Sequence, residues 1–197
     1  MSKTLTESDY KAAAEALNAP VAAIKAVTEV ESAGSGFLPD GRVKVQYEPH
    51  VMYRRLKLKF GKARADAELK RHPDLVALRA GSYQPLDKED RDMGRAAQLI
   101  DRDCALESAS WGAFQIMGYH WEHMGYASLQ AFVNSMYSGA AGHLDAFVRF
   151  IQADHRLLAA IRNLDWSRFA RVYNGPGYKN NRYDIKMAAA YKRHGGV

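Results

Sequence analysis

The sequence predicts a mostly α-helical domain with one small β-ribbon in its N-terminal third. Apolar residues recur at threes and fours along most of the chain, the spacing of amphipathic helices. Strict alternation of apolar and polar residues is confined to the stretch before Tyr47. No internal repeat, low-complexity run or Pro/Gly/Ser linker divides the 197 residues, so a single domain over 1–197 is the simplest organisation.

Thr6-Glu7-Ser8-Asp9 precedes an alanine-rich stretch ending near Leu17, which reads as an N-terminal helix over 1–17. Pro20 then opens a second helix through about Ser32, because the first helical turn needs no N–H from that residue. Pro39-Asp40-Gly41 signals a turn, and after it Val43, Val45 and Tyr47 alternate with Lys44, Gln46 and Glu48, predicting a two-stranded ribbon with one wet face.

From His50 the helical period returns. Met93, Ala96, Ala97, Ile100 and Cys104 make residues 86 to 107 one long amphipathic segment. Leu144, Phe147, Val148 and Ile151 repeat the pattern, as do Trp166, Phe169, Ala170 and Tyr173. Asn174-Gly175-Pro176-Gly177 stops that helix, and a final one runs to about Arg193. On an ideal wheel for this last helix Lys179, Arg182, Lys186 and Arg193 fall within about 60° of one another. Beside them run Tyr183, Met187, Ala190 and Tyr191, a basic amphipathic segment suited to an anionic envelope surface such as lipopolysaccharide.

Composition narrows the function classes. With 47% apolar residues the chain can bury a core, which rules out disorder as its main state. The lone Cys104 cannot form an internal bridge, which excludes the disulfide-rich secreted class and suits a reducing compartment. The first twenty residues hold no apolar run of the length that a signal peptide or membrane anchor requires. Against 22 acidic residues stand 28 Lys and Arg, a formal charge of +6 that favours anionic partners without choosing among them.

Placed on a helix at about 100° per residue, Val21, Ile24, Val27, Thr28 and Glu31 share one side, and Glu29 points elsewhere. A carboxylate on an apolar stripe loses water, so the Glu31 pKa is expected to rise towards neutrality, where it can hold and donate a proton. Glu29 is expected to be an ordinary solvated acid. A buried pairing of Glu31 with an arginine, or a cap on a neighbouring helix, is the structural alternative.

Two further segments give Glu31 a chemical context. Glu31-Ser32 at a helix end is followed by Gly112-Ala113-Phe114-Gln115-Ile116-Met117 and then by Tyr173-Asn174-Gly175-Pro176-Gly177-Tyr178. In that order they resemble the lysozyme and lytic transglycosylase superfamily, whose members cut the glycan of peptidoglycan. The run VESAGSGFLPDGRVKVQYEPHVMYR is more closely similar to the N-acetylmuramidase domain of phage endolysins and prophage lysis proteins. The resemblance covers about residues 18 to 195. It implies an α+β lysozyme-like fold, no cofactor or metal, and hydrolysis of the β-1,4 bond between N-acetylmuramic acid and N-acetylglucosamine, with Glu31 as the general acid. Glycosidic cleavage needs such an acid and a negative or nucleophilic group to support an oxocarbenium-like transition state.

For that second group Glu48 is the candidate, since it leaves the wet face of the ribbon that follows Glu31. Asp40 is the runner-up, although turn aspartates usually serve their own backbone. The resemblance also implies substrate contacts for Gln115, Tyr173 and Asn174, while Trp111 and Tyr119 are candidate stacking platforms for sugar rings. Gln115 as a satisfied interior amide, Tyr173 as core and Glu48 as a structural contact at a helix start are the alternatives. A lytic transglycosylase, in which the muramic 6-hydroxyl attacks and one carboxylate suffices, is the alternative chemistry.

Competing classes are weaker. Residues 54 to 64, RRLKLKFGKAR, carry six basic side chains, but Asp66 and Glu68 follow at once and no nucleic-acid-binding signature appears. His120 and His123 lack a further ligand motif. Cys104 sits at an apolar helical phase, where it is an inert hydrophobe. The expectation is a monomer acting on peptidoglycan without nucleic acid. It accumulates in a host cytoplasm and reaches the wall through a separate membrane-permeabilising protein.

Overall fold

The computed structural model describes residues 2–32, 34–81 and 84–197. Ala33, within the motif that follows Glu31, lies outside them. Helix α1, Glu7–Leu17, opens on a reciprocal cap: Asp9 N–H donates to the Thr6 hydroxyl, and Thr6 N–H donates to the Asp9 carboxylate at 2.7 Å. Asn18 closes it with φ 49°, in the left-handed region that asparagine tolerates. Helix α2, Val21–Glu31, follows Pro20 and packs between α1 and the last helix of the chain.

Strand β1 is Val45–Tyr47, with Val43, Val45 and Tyr47 buried and Lys44 and Gln46 on the wetter side. The alternation is as expected, but the partner is not the expected one. Locally the chain forms only a Phe37–Val43 bridge around the Pro39-Asp40-Gly41 turn. β1 pairs antiparallel with β2, Ala109–Trp111, placing Val45 opposite Trp111, and β2 pairs with β3, Ile116–Met117. The β element is therefore a three-stranded sheet rather than a two-stranded ribbon. Its middle strand comes from some sixty residues later, at three residues too short for alternation to be read.

Helices α3, Pro49–Phe60, and α4, Lys62–Arg71, are hinged at Gly61, whose φ of +86° suits glycine. The expected helix over 86 to 107 is two: α5, Leu86–Leu99, and α6, Arg102–Glu107. The break is Asp101, whose carboxylate accepts the Cys104 N–H at 2.8 Å and so caps a new helix instead of continuing the old one. Helices α7, Leu129–Tyr137, α8, Ala140–Ala153, α9, His155–Arg162, and α10, Trp166–Asn174, complete the bundle.

After α10 a 3-10 turn, Pro176–Asn181, delays the last helix, α11, to Tyr183–Arg193. This corrects the basic stripe. Lys179 lies in the turn, Arg182 is the left-handed cap with φ 54°, and Arg193 is engaged by Glu29, so the four cations do not share a helical face. One apolar core runs from Leu17 through Met52, Trp111, Phe132 and Phe147 to Phe169 and Met187. Among the described residues no helix is long and apolar enough to cross a membrane.

Candidate active site

Glu31 is the last residue of α2, half-buried at the edge of the core. Its Oε1 accepts a 2.8 Å hydrogen bond from Asn174 Nδ2. Burial pushes the Glu31 pKa up to about 7, and the Asn174 bond, which favours the ionised form, opposes only part of that rise. Glu29, two residues earlier, meets Arg193 and, at 2.8 Å, His194; these bonds hold its carboxyl below the usual range. Helical phase thus separates two glutamates into one whose carboxyl is lifted towards neutrality and one held below the usual range.

Two of the three sequence segments meet at Glu31, and the third is tied to them through Tyr173. Asn174 is placed by the end of α10, where Gly175 turns the chain at φ +79°. Beside it the Tyr173 hydroxyl donates to the Phe114 carbonyl at 3.2 Å, tying the Tyr-Asn-Gly segment to the Gly-x-x-Gln segment. The Tyr173 ring packs on Phe147, Phe150 and Phe169. Its phenol is driven upward first by burial and then by the Glu31 charge, so it stays neutral. It braces the site and carries no hydrogen bond to the acid.

Gln115 occupies the turn between β2 and β3 at φ +49°. Its Nε2 donates to the Gly112 carbonyl at 2.9 Å and its Oε1 accepts from the Ser110 hydroxyl at 3.0 Å. Both ends of the half-buried amide are thus engaged in holding that turn. Trp111 is corrected from platform to core: it is 1% exposed and its indole N–H donates to the Leu106 carbonyl, so it has no ring face for a sugar. Tyr119 is partly exposed, with His120 against one side at 4.3 Å and the Arg55 guanidinium 6.0 Å from the ring centre.

Glu48 caps the start of α3 by position, its N–H donating to the Ser108 carbonyl at 2.9 Å, yet its side chain makes no capping bond. Its carboxylate is 3.2 Å from His50 Nδ1 without hydrogen-bond alignment. Burial and then the nearby Glu89 push the Glu48 pKa up, while burial and then Arg54 push that of His50 down. Glu48 opens into a cavity of about 330 Å³ with Asp74, Arg79, Lys88, Glu89 and Asp92, and neither Glu31 nor Asn174 lines it. Asp40 is an exposed turn residue paired with Arg42, as its place in Pro-Asp-Gly expected.

A residue the sequence reading did not single out holds the loops together. His143, 2% exposed on α8, accepts the Ala113 N–H at Nδ1 (3.3 Å) and meets the Met136 carbonyl at Nε2 (2.9 Å). Phe37 stacks on its ring at 4.7 Å. Gly36 and Gly112 lie so close that a Cβ on Gly36 would fall 2.3 Å from His143 Nδ1. His143 therefore keys the loop after Glu31 to the start of the Gly-x-x-Gln segment. The only hint in the sequence was its apolar helical phase, one turn before Phe147.

Other candidates fall away from this centre. Four of the six cations in residues 54 to 64 are engaged: Arg55 by Glu107, Lys59 by Asp101 and Asp103, Lys62 by Asp66, and Arg64 by Glu68. Burial pushes the Cys104 thiol up to about 12 and His120 down to about 4. Among the described residues no group of three or more His, Cys, Asp or Glu is arranged to hold a metal ion.

Comparison with known proteins follows the same lines. The family described as Muramidase (N-acetylmuramidase) matches residues 20–195. Among solved structures, the crystal structure of Burkholderia AP3 phage endolysin superposes with a TM-score of 0.91 at 45% identity, the match covering 98% of this chain and 72% of that one. No curated protein matches the sequence. An apolar-pocket glutamate at a helix end, met by an asparagine from the Tyr-Asn-Gly segment, is thus set in a lysozyme-like glycosidase fold that degrades peptidoglycan, and the chain belongs to the N-acetylmuramidase family.

Proposed function

We propose that the enzyme hydrolyses the β-1,4 bond between N-acetylmuramic acid and N-acetylglucosamine, with Glu31 protonating the bridging oxygen. The observation that carries this is the Glu31 carboxyl itself, desolvated, lifted to about 7 and oriented by Asn174. An acid with that pKa is about half protonated at neutral pH, and the amide stabilises the carboxylate left after the proton is delivered. Tyr173 and His143 act as positioning residues, fixing Phe114 and the loop after Glu31.

Glu48 is the less favoured second carboxylate. A group that supports an oxocarbenium must be ionised and within about 5 to 9.5 Å of the acid. Glu48 instead lines a cavity with Glu89 that neither Glu31 nor Asn174 lines. Asn174 is the hydrogen-bond partner of Glu31 among the described residues, and a single acid is also what intramolecular attack by the muramic 6-hydroxyl needs. Mass spectrometry of muropeptides from purified sacculi separates the routes. Hydrolysis predicts reducing muramic ends. Anhydro ends, one water lighter, would reassign the chemistry, and amidase products with intact strands would remove glycan cleavage altogether.

The likeness to a phage endolysin supports a lytic role: accumulation in the host cytoplasm, release through a separate membrane-permeabilising protein, and action as a monomer. Peptidoglycan rather than nucleic acid is the anionic partner, a reading supported by the carboxylates that engage most of the basic run in α3 and α4. Contact with lipopolysaccharide then rests on Lys186 and Lys192 around the exposed Ile185, a smaller surface than an unbroken helix would offer.

A further inference from the structure

An open cavity of about 610 Å³ lies outside the Glu31 site, beside α10. Arg156, Arg168, Arg171, Asp165 and Ser167 line it, with Val172 and the buried Tyr178 as its only apolar walls. Arg156 is held by Asp154. The guanidinium groups of Arg168 and Arg171 have no ionic partner among the described residues. They stand one helical turn apart on the same side of α10, so both forks face the cavity.

We propose that this cavity binds the free carboxylates of the peptide carried by the muramic acid of the substrate, with Arg168 and Arg171 as its ligands; the proposal rests on the peptidoglycan reading above. An arginine fork matches a carboxylate through two parallel hydrogen bonds. Asp165, in the same lining, supplies the complementary charge for an amine on that peptide. Position favours this occupant. Arg171 precedes Asn174 by three residues, about 4.5 Å along the axis and about 60° around it, so the cavity lies one helical turn from the residue that meets Glu31. A peptide leaving the muramic sugar, at about 3.3 to 3.6 Å per residue, spans one helical turn, about 5.4 Å, within two or three residues. The lining is too poor in apolar surface to hold acyl chains, which argues against a lipid phosphate.

The test compares uncrosslinked glycan strands that carry their peptides with the same strands stripped by an amidase. Wild-type enzyme is expected to show a KM about tenfold lower on the peptide-bearing strands. The Arg168→Gln/Arg171→Gln variant is expected to lose that preference by raising KM on peptide-bearing strands, with kcat on both substrates and KM on bare glycan within about twofold of wild type. Arg168→Lys/Arg171→Lys, which keeps the charge but not the fork, is expected to fall between. Equal KM values for both substrates in the wild type, or a preference that survives the Gln variant, would overturn the proposal. So would a variant that keeps the preference but loses binding to anionic lipid vesicles, which would give the cavity to a lipid phosphate. Should the Gln variant fail to fold, inhibition of the wild type by the free stem peptide on bare glycan decides, and no inhibition at millimolar peptide rejects the site. Failure of the Glu31 assignment reads differently: Glu31→Gln would then retain turnover while the KM contrast stays intact.

Discussion

At the scale of single residues, the separation of Glu31 from Glu29 is the feature that decides chemistry. It was legible because 100° per residue puts Glu31 on the stripe of Ile24 and Val27 and Glu29 off it. A folded pKa of about 7 against 4.5 in the unfolded chain means the native state prefers the protonated acid. The sign follows: full stability is present below about pH 4.5 and is lost as pH rises through about 7, at a cost of about 3 kcal/mol for the ionised form. Glu31→Gln is therefore expected to raise stability relative to wild type at pH 8 but hardly at pH 4, as read by urea unfolding at both pH values. A stabilisation independent of pH would contradict it. Asn174→Ala removes the donor that favours the carboxylate, and should move the alkaline limb of turnover to higher pH. Gln115 and Trp111 were less legible. Their side chains point inward because of a left-handed turn and a strand pairing that no local pattern announces.

At the scale of elements, helices were readable where the period was long and the caps were local, as in α1 with its Thr6-Asp9 box. The misreadings share a cause. At Asp101, at the Pro176–Asn181 turn and in the sheet, a hydrogen bond or strand partner overrode the continuing pattern. Asp101→Ala should cost about 1 kcal/mol, the usual worth of a helix cap, and it leaves Lys59 with Asp103 alone. Its effect should appear in the melting temperature and leave turnover on soluble glycan unchanged. Gly36→Ala should be far more damaging than a surface Gly→Ala, since its new methyl would meet His143 Nδ1 and the Ala113 nitrogen. His143→Gln should lower kcat more than it raises KM, because it loosens the loops beside Glu31 rather than a sugar contact; an equal change in both would make it a binding residue.

For the whole molecule, three segments spread over more than 140 residues close on one carboxyl: α2 supplies the acid, α10 its amide partner, and the β2–β3 turn the Phe114 carbonyl that Tyr173 grips. That order was legible in the sequence as motifs, whereas their contacts depend on α8 and the Phe147–Tyr173 packing that brings the segments together. The net charge of +6 is distributed so that much of the α3–α4 basic run is neutralised, while Arg168 and Arg171 stand together on α10 with no ion pair among the described residues. Cleavage turns on Glu31 acting as a protonated acid, and the pH dependence of kcat on soluble bare glycan tests that role most directly. Wild-type turnover should fall above about pH 7, as Glu31 ionises, and Glu31→Gln should be slower by about 10² to 10⁴ with that alkaline limb gone. A Glu31→Gln enzyme within tenfold of wild type, or one that keeps the same limb, would contradict it.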